Sequence, residues 1–434
     1  MTAIQAQSLP KILAGRDVVA QGQTGSGKTA AFGLGLLNNL DTKLFKVQAL
    51  VLCPTRELAE QVSTEIRRLA RTTANVKVVT LYGGTGFKSQ AVSLDKGAHI
   101  VVGTPGRIED HLGKGTLKLE TMKTLVLDEA DRMLDMGFQN TLEAIVEAVP
   151  EKRQTLLFSA TYPEQIKSIA ERITQNPEFA KVAPSQDTVR VDQVFHKVEN
   201  EASRAQALRL VLLQEGAGQA VVFCNTRKDS QAVAGGLKSA GFSAAALHGD
   251  MEQKDRDQTL IRFSNQSINV LVATDVAARG LDIDSLDLVI NYHLPRELMV
   301  YTHRVGRTAR AGAKGKAISL YQDSENFRIE QLNAYLEMVI QDAELPPQEL
   351  LNQTPQRPSM STLRVEGGKR QKLRPGDLVG AITKHEAITG EQIGKIQVLD
   401  NWAYVAIQRP IAKMALQQLS QGKIKGKSFR ARLI

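Results

Sequence analysis

The first 340 residues alternate short, unbroken apolar runs with longer stretches of helical periodicity. The runs DVVA (17–20), QALVLC (48–53), VKVVTLY (76–82), HIVVGT (99–104), TLVLDEA (124–130) and QTLLFSA (154–160) are largely continuous rather than alternating with polar residues. Strands that are apolar on both sides belong to a parallel sheet covered by helices. A polar stretch at 184–190 breaks the pattern, and a second series follows: QAVVFC (219–224), SAAALH (243–248), NVLVAT (269–274), LDLVIN (286–291) and GKAISLY (315–321). The pattern therefore predicts two similar α/β domains, over 1–183 and 191–340, with a short connection between them.

Pro346, Pro347, Pro355 and Pro358 mark a linker over 341–360, with the composition of a semi-rigid connector. Beyond it, residues 361–434 read strand, helix, strand, strand, helix, strand. That βαββαβ order predicts a small α+β domain like the RNA-recognition motif, or RRM. Its third strand offers Tyr404, with Trp402 just ahead of it, where such a domain usually stacks bases on several aromatics.

Charge sharpens this picture once it is located. The net charge is +9, yet the first 360 residues balance at 41 basic and 41 acidic, so the 14 basic and 5 acidic residues of 361–434 carry the whole excess. A basic excess confined to one domain points to a polyanionic partner. No apolar stretch reaches the roughly 18 residues that cross a bilayer, and the first residues lack the order of a signal peptide. A cytoplasmic protein without membrane association is expected. Cys53 and Cys224 each end an apolar run and are expected to be reduced core residues.

The chemistry begins at Gly22-Gln23-Thr24-Gly25-Ser26-Gly27-Lys28-Thr29, between an apolar run and a helical stretch. This G-x-x-x-x-G-K-[ST] spacing lets backbone N–H groups turn onto phosphates, Lys28 reach the β and γ phosphates, and Thr29 hold Mg²⁺. Asp128 and Glu129 follow the run at 124–127. Asp128 is placed to bind Mg²⁺ through water, leaving Glu129 to orient and deprotonate an attacking water. Asp131 alone would fit an acidic helix start, but that reading does not account for both strand-terminal acids. Arg307 and Arg310 stand three apart, on one face of a turn or helix, as a clamp on a transferring phosphoryl group requires.

Asp128-Glu129-Ala130-Asp131 spells the name of the DEAD-box family of RNA helicases, and the order of the remaining motifs resembles that family too. The resemblance implies two tandem RecA-like parallel-sheet domains and an RNA-dependent ATPase using ATP and Mg²⁺. It makes Gln5 the adenine-reading glutamine and places Asp282 on the ribose. It implies that Ser159 and Thr161, with Asp131 and His303, couple hydrolysis to domain closure, and that Arg307 and Arg310 reach the γ-phosphate. Arg56, Gly84, Thr104 and Arg107 in the first domain resemble the family's RNA-facing positions, as do Thr226, residues 253–256, Thr274 and Gly280 in the second. Since each domain carries part of this machinery, the resemblance implies that hydrolysis requires the domains to close.

Gly422-Lys423-Ile424-Lys425-Gly426-Lys427 and the turn Arg374-Pro375-Gly376-Asp377 resemble the tail of the family's bacterial DbpA subgroup. That resemblance implies recognition of 23S rRNA at hairpin 92, pre-50S particles as partners and a monomeric helicase. The family's adenine-stacking aromatic precedes the segment containing Gln5, and this sequence starts too late to include it, so weaker adenine discrimination is expected. Two rival classes are an RNA-binding clamp with little ATP turnover and a DNA-directed ATPase. RNA-stimulated phosphate release discriminates against the first, and competition between RNA and DNA activators against the second.

Overall fold

The computed structural model describes residues 1–22, 25–182, 191–216, 218–278, 286–308, 315–384 and 387–434. They fall into two compact units, the second of which contains the basic tail. Among the described residues no helix is long and apolar enough to cross a membrane.

The first unit is built on strands β1 (Val18–Gln21), β2 (Ala49–Leu52), β3 (Val78–Leu81), β4 (Ile100–Gly103), β5 (Thr124–Asp128), β6 (Gln154–Ser159) and β7 (Glu178–Lys181). They form one sheet in the order β3-β4-β2-β5-β6-β1-β7, with every pairing parallel. Successive residues of a strand point to opposite faces. Accordingly Val19, Leu125, Leu127 and Leu157 join one apolar cluster, while Val18, Ala20, Val126, Leu156 and Phe158 join another. The unbroken apolar runs thus supply two cores, one on each side of the sheet. The central order β5-β6-β1 also brings the carboxyl ends of these three strands together, the usual ligand-binding edge of an open parallel sheet.

The second unit repeats the scheme with β8 (Asp192–Lys197), β9 (Ala220–Cys224), β10 (Ala244–Leu247), β11 (Val270–Thr274), β12 (Leu288–Asn291) and β13 (Lys316–Tyr321). Their order is β10-β11-β9-β12-β13-β8, again parallel throughout. Strands β7 and β8 are absent from the apolar pattern because they carry exposed polar residues, whereas the other edge strands, β3 and β10, are mostly buried. Cys53 and Cys224 are buried free thiols, and burial pushes both well above the ordinary thiol range.

The tail forms an antiparallel sheet of β14 (Met360–Val365), β15 (Ile393–Val398), β16 (Ala403–Gln408) and β17 (Ala431–Leu433), ordered β15-β16-β14-β17. Leu363, Val365, Ala403, Val405 and Ile407 face the helices Pro375–Ile382 and Ala412–Gln421 and form one core with Leu378, Ile382, Ala415 and Leu419. The start of the expected linker, ahead of its prolines, pairs with strands of the second sheet. Ala343 N donates to Phe195 O at 2.8 Å, His196 Nδ1 lies 2.9 Å from Ala343 O, and the Tyr321 hydroxyl donates to Asp342.

Candidate nucleotide and RNA site

The glycine-rich loop leaves β1 and enters the helix Lys28–Asn38. Gly22 N donates to Ser159 O across to β6 at 3.0 Å, and Lys28 Nζ donates back to Gly22 O at 3.0 Å, so the lysine spans the loop. Gly27 has φ +93°, and a Cβ there would lie 2.5 Å from Gln5 Nε2. Glycine is thus required both by conformation and by the approach of Gln5, whose amide donates to Gly27 O at 3.2 Å. Gln5 is itself fixed by a reciprocal cap with Thr2 at the start of the helix Ala3–Leu13. Gly25 also has a positive φ, and Ser26 and Thr29 follow on the same segment. Gln23 and Thr24 lie outside the described residues.

Asp128 ends β5 with 3% of its surface exposed. Burial pushes its carboxyl up to about 7, against the opposing pull of Lys28 and with a further push from Glu129. Its Oδ1 is buried with no hydrogen-bond partner. Glu129 takes left-handed backbone angles, φ 53° and ψ 52°, between β5 and the helix Ala130–Asp135. That conformation costs a non-glycine residue roughly 1–2 kcal/mol, and it turns the chain so that the adjacent acids take separate environments. The Glu129 carboxylate accepts from Arg132 Nη1 at 2.5 Å, both side chains being buried. Asp131 Oδ2 accepts two bonds from Thr161, from its backbone N at 2.9 Å and its hydroxyl at 2.8 Å. Ser159, one residue before Ala160, is buried at the end of β6.

Farther along the same strand-end edge, Arg56 begins a helix capped by Thr55, and Gly84 follows β3 with φ +77°. A Cβ on Gly84 would stand 2.2 Å from Arg56 Nη1, so this guanidinium depends on glycine for its seat. Arg107 follows Thr104, the N-cap of the helix Pro105–Gly113, and donates to Thr85 O at 3.2 Å and Gln90 Oε1 at 3.1 Å. The first unit thus brings Arg56, Gly84, Thr104 and Arg107 to the ends of β2, β3 and β4.

In the second unit Thr226 caps the helix Arg227–Ser239 and Thr274 ends β11. His303 lies half-buried on the helix Leu298–Val305, and Arg307 is buried just beyond it. Asp282, Gly280 and Arg310 lie outside the described residues. The sequence reading missed the organising residue here, Arg304, which is 1% exposed. Its guanidinium grips Asp275 at 2.6 and 2.7 Å and donates to Asn291 Oδ1, His293 O and Asn225 Oδ1. It ties the ends of β9, β11 and β12 together. Its partners are scattered over more than 60 residues of chain, and no local spacing signals them.

Comparisons with known proteins give the family. The DEAD/DEAH box helicase family matches residues 2–169, the helicase conserved C-terminal domain matches 203–312, and the DbpA RNA binding domain matches 362–433. The chain is 50% identical to the Escherichia coli ATP-dependent RNA helicase DbpA over 434 residues, spanning 100% of this chain and 94% of that protein. It is 38% identical to the Bacillus subtilis protein of the same name, with 99% and 94% covered. Saccharomyces cerevisiae Dbp5, solved bound to RNA and ADP BeF3, matches with a TM-score of 0.72 at 30% identity, over 82% of this chain and 94% of that one. The chain belongs to the DEAD-box family of ATP-dependent RNA helicases and ends in a DbpA RNA-binding domain.

Proposed function

We propose that this ATP-dependent RNA helicase remodels 23S rRNA around hairpin 92 in pre-50S particles, acting as a cytoplasmic monomer whose tail selects the RNA. In this reading Gln5 recognises adenine, and the loop from Gly22 to Thr29 holds the phosphates with Lys28 on the β and γ groups. Asp282 binds the ribose, Glu129 takes the proton of the attacking water, and Arg307 and Arg310 offset charge on the transferring phosphoryl group. Arg56, Gly84, Thr104, Arg107, Thr226, Thr274 and Gly280 hold the RNA backbone, while Asp131, Ser159, Thr161 and His303 couple hydrolysis to it. Backbone contacts carry no base information, so choice of RNA is delegated to the tail.

The residues present fit Mg²⁺. Asp128 Oδ1 is buried and unpartnered, and with the Thr29 hydroxyl it gives the oxygen-only donor chemistry that this ion takes. Bound there, the ion would supply positive charge to the phosphate oxygens.

The observation that carries the ATPase half is the paired environment of the strand-end acids. Asp128 carries an unpartnered oxygen, and Glu129 is turned away onto Arg132. The rRNA half is supported by the tail's basic excess and by its match to the DbpA domain. Exchanging residues 361–434 for an unrelated RNA-binding domain tests it. ATP hydrolysis should persist while preference for a hairpin 92 fragment disappears; a retained preference would refute the assignment to the tail.

A further inference from the structure

The tail's sheet has two faces, and only one is accounted for by its own core. The opposite face carries Thr362, Arg364, Tyr404 and Ala406, each no more than 3% exposed. Such a face is the usual stacking platform of an RRM, yet here it lies against the second helicase domain. Thr362 Oγ1 sits 2.7 Å from Ser267 Oγ and 3.3 Å from Asn265 Nδ2. Lys395 Nζ donates to Ser264 Oγ at 2.7 Å, and Arg364 Nη1 to Gln258 Oε1 at 3.3 Å. Burial also raises the Tyr404 phenol above its ordinary range. The aromatics expected to stack on bases are therefore otherwise engaged. Tyr404 is sealed, and Trp402 has the Arg364 guanidinium 4.3 Å from its ring centre and Lys254 Nζ 5.6 Å from it.

Lys254, Gln258 and Ser264 all belong to the helix Gln253–Ser264, whose first turn also holds Gln253 and Arg256. At about 100° per residue, Lys254 and Gln258 project about 40° apart toward the tail, and Arg256 projects roughly 160° from each. Arg256 Nη2 donates to Ala277 O at 3.0 Å, which ties this turn to the segment after β11. The helix is thus held between the tail and the strand-end edge of its own domain.

We propose that this face of the tail is a fixed joint rather than an RNA surface, and that Trp402, clamped by Arg364 and Lys254, is a positioning residue for the RNA-contacting turn at 253–256. The inference rests on the reading of that turn as RNA-facing. RNA captured elsewhere on the tail then acts on the helicase core through a rigid connection, without a flexible tether. Two cations on one indole, one of them buried, are a directional fastening that Phe can partly replace and Ala cannot.

The test is steady-state RNA-stimulated ATPase with the full chain and a hairpin 92 fragment, alongside direct RNA affinity, for wild type, Trp402→Ala, Trp402→Phe and Gln258→Ala. A positioning role predicts that Trp402→Ala and Gln258→Ala each lower kcat at saturating RNA about fivefold while RNA Kd stays within about twofold, and that Trp402→Phe restores most of kcat. Loss of RNA affinity with kcat retained would make Trp402 a base-stacking residue and overturn the joint, as would no change in either variant. Should Trp402→Ala fail to fold, Gln258→Ala carries the same split, since Gln258 bonds the Arg364 that stacks on Trp402 and lies outside the RNA-contacting turn. A wild-type chain without RNA stimulation would instead count against the proposed function.

Discussion

Replacing Thr161 by valine removes one hydroxyl donor while keeping the shape of the side chain. Asp131 Oδ2 accepts from both the Thr161 hydroxyl, at 2.8 Å, and the Thr161 backbone N–H, at 2.9 Å, so this oxygen keeps one partner after the change. A hydrogen bond to a charged acceptor contributes about 1.5–3 kcal/mol, and the surviving bond favours the lower figure, or about tenfold in a rate that depends on it. Gly22 N bonds to Ser159 O on the same strand end, so the glycine-rich loop and the segment that holds Asp131 are mechanically continuous. Strand separation should therefore fall about tenfold in Thr161→Val, while RNA-stimulated phosphate release falls by less than about threefold. Duplex unwinding and phosphate release, measured on the same preparation, decide this. In an Asp131→Ala background the valine should add nothing further, because the acceptor is already gone. Equal losses in both activities, or no loss in unwinding, would refute the coupling role of this contact.

Further outcomes follow from the same geometry. Gly84→Ala should weaken binding of single-stranded RNA, measured by fluorescence anisotropy, by about tenfold, since left-handed strain and displacement of Arg56 together cost roughly 1–2 kcal/mol. Glu129→Gln should lower single-turnover hydrolysis by about 10²–10⁴ while nucleotide still binds; turnover close to wild type would remove the acid from its assigned role. Asp128 has a folded-state pKa raised from 3.8 to about 7, so its protonated form is the one folding favours. Its contribution to stability is fully present below pH 3.8 and is lost as pH rises through 7. Asp128→Asn should therefore be more resistant to urea than the nucleotide-free wild type at pH 8, with the gap narrowing toward pH 4.

Much of the architecture was legible because parallel strands buried on both faces cannot hide their apolar runs. The eleven apolar runs became strands, and their ends carry the glycine-rich loop, Asp128 and Thr274 where the motifs required them. The edge strands β7 and β8 escaped because only part of each is buried, leaving no apolar signature. Arg132 and Arg304 escaped for another reason. Their importance lies in partners made near by folding, and a buried arginine looks in sequence like any surface cation. The tail's strand order was equally readable, but the destination of its second face was not. Thr362, Arg364 and Tyr404 look like an exposed polar face of an RRM until the helix Gln253–Ser264 is seen to cover it.

The most direct test of the account is phosphate release from ATP by the unmodified chain under three conditions: no RNA, an unrelated structured RNA of matched length, and a 23S fragment containing hairpin 92. The account predicts slow release alone and stimulation at least about tenfold stronger by the hairpin fragment than by the unrelated RNA at limiting concentration. Equal stimulation by both RNAs, or full turnover with none, would contradict it.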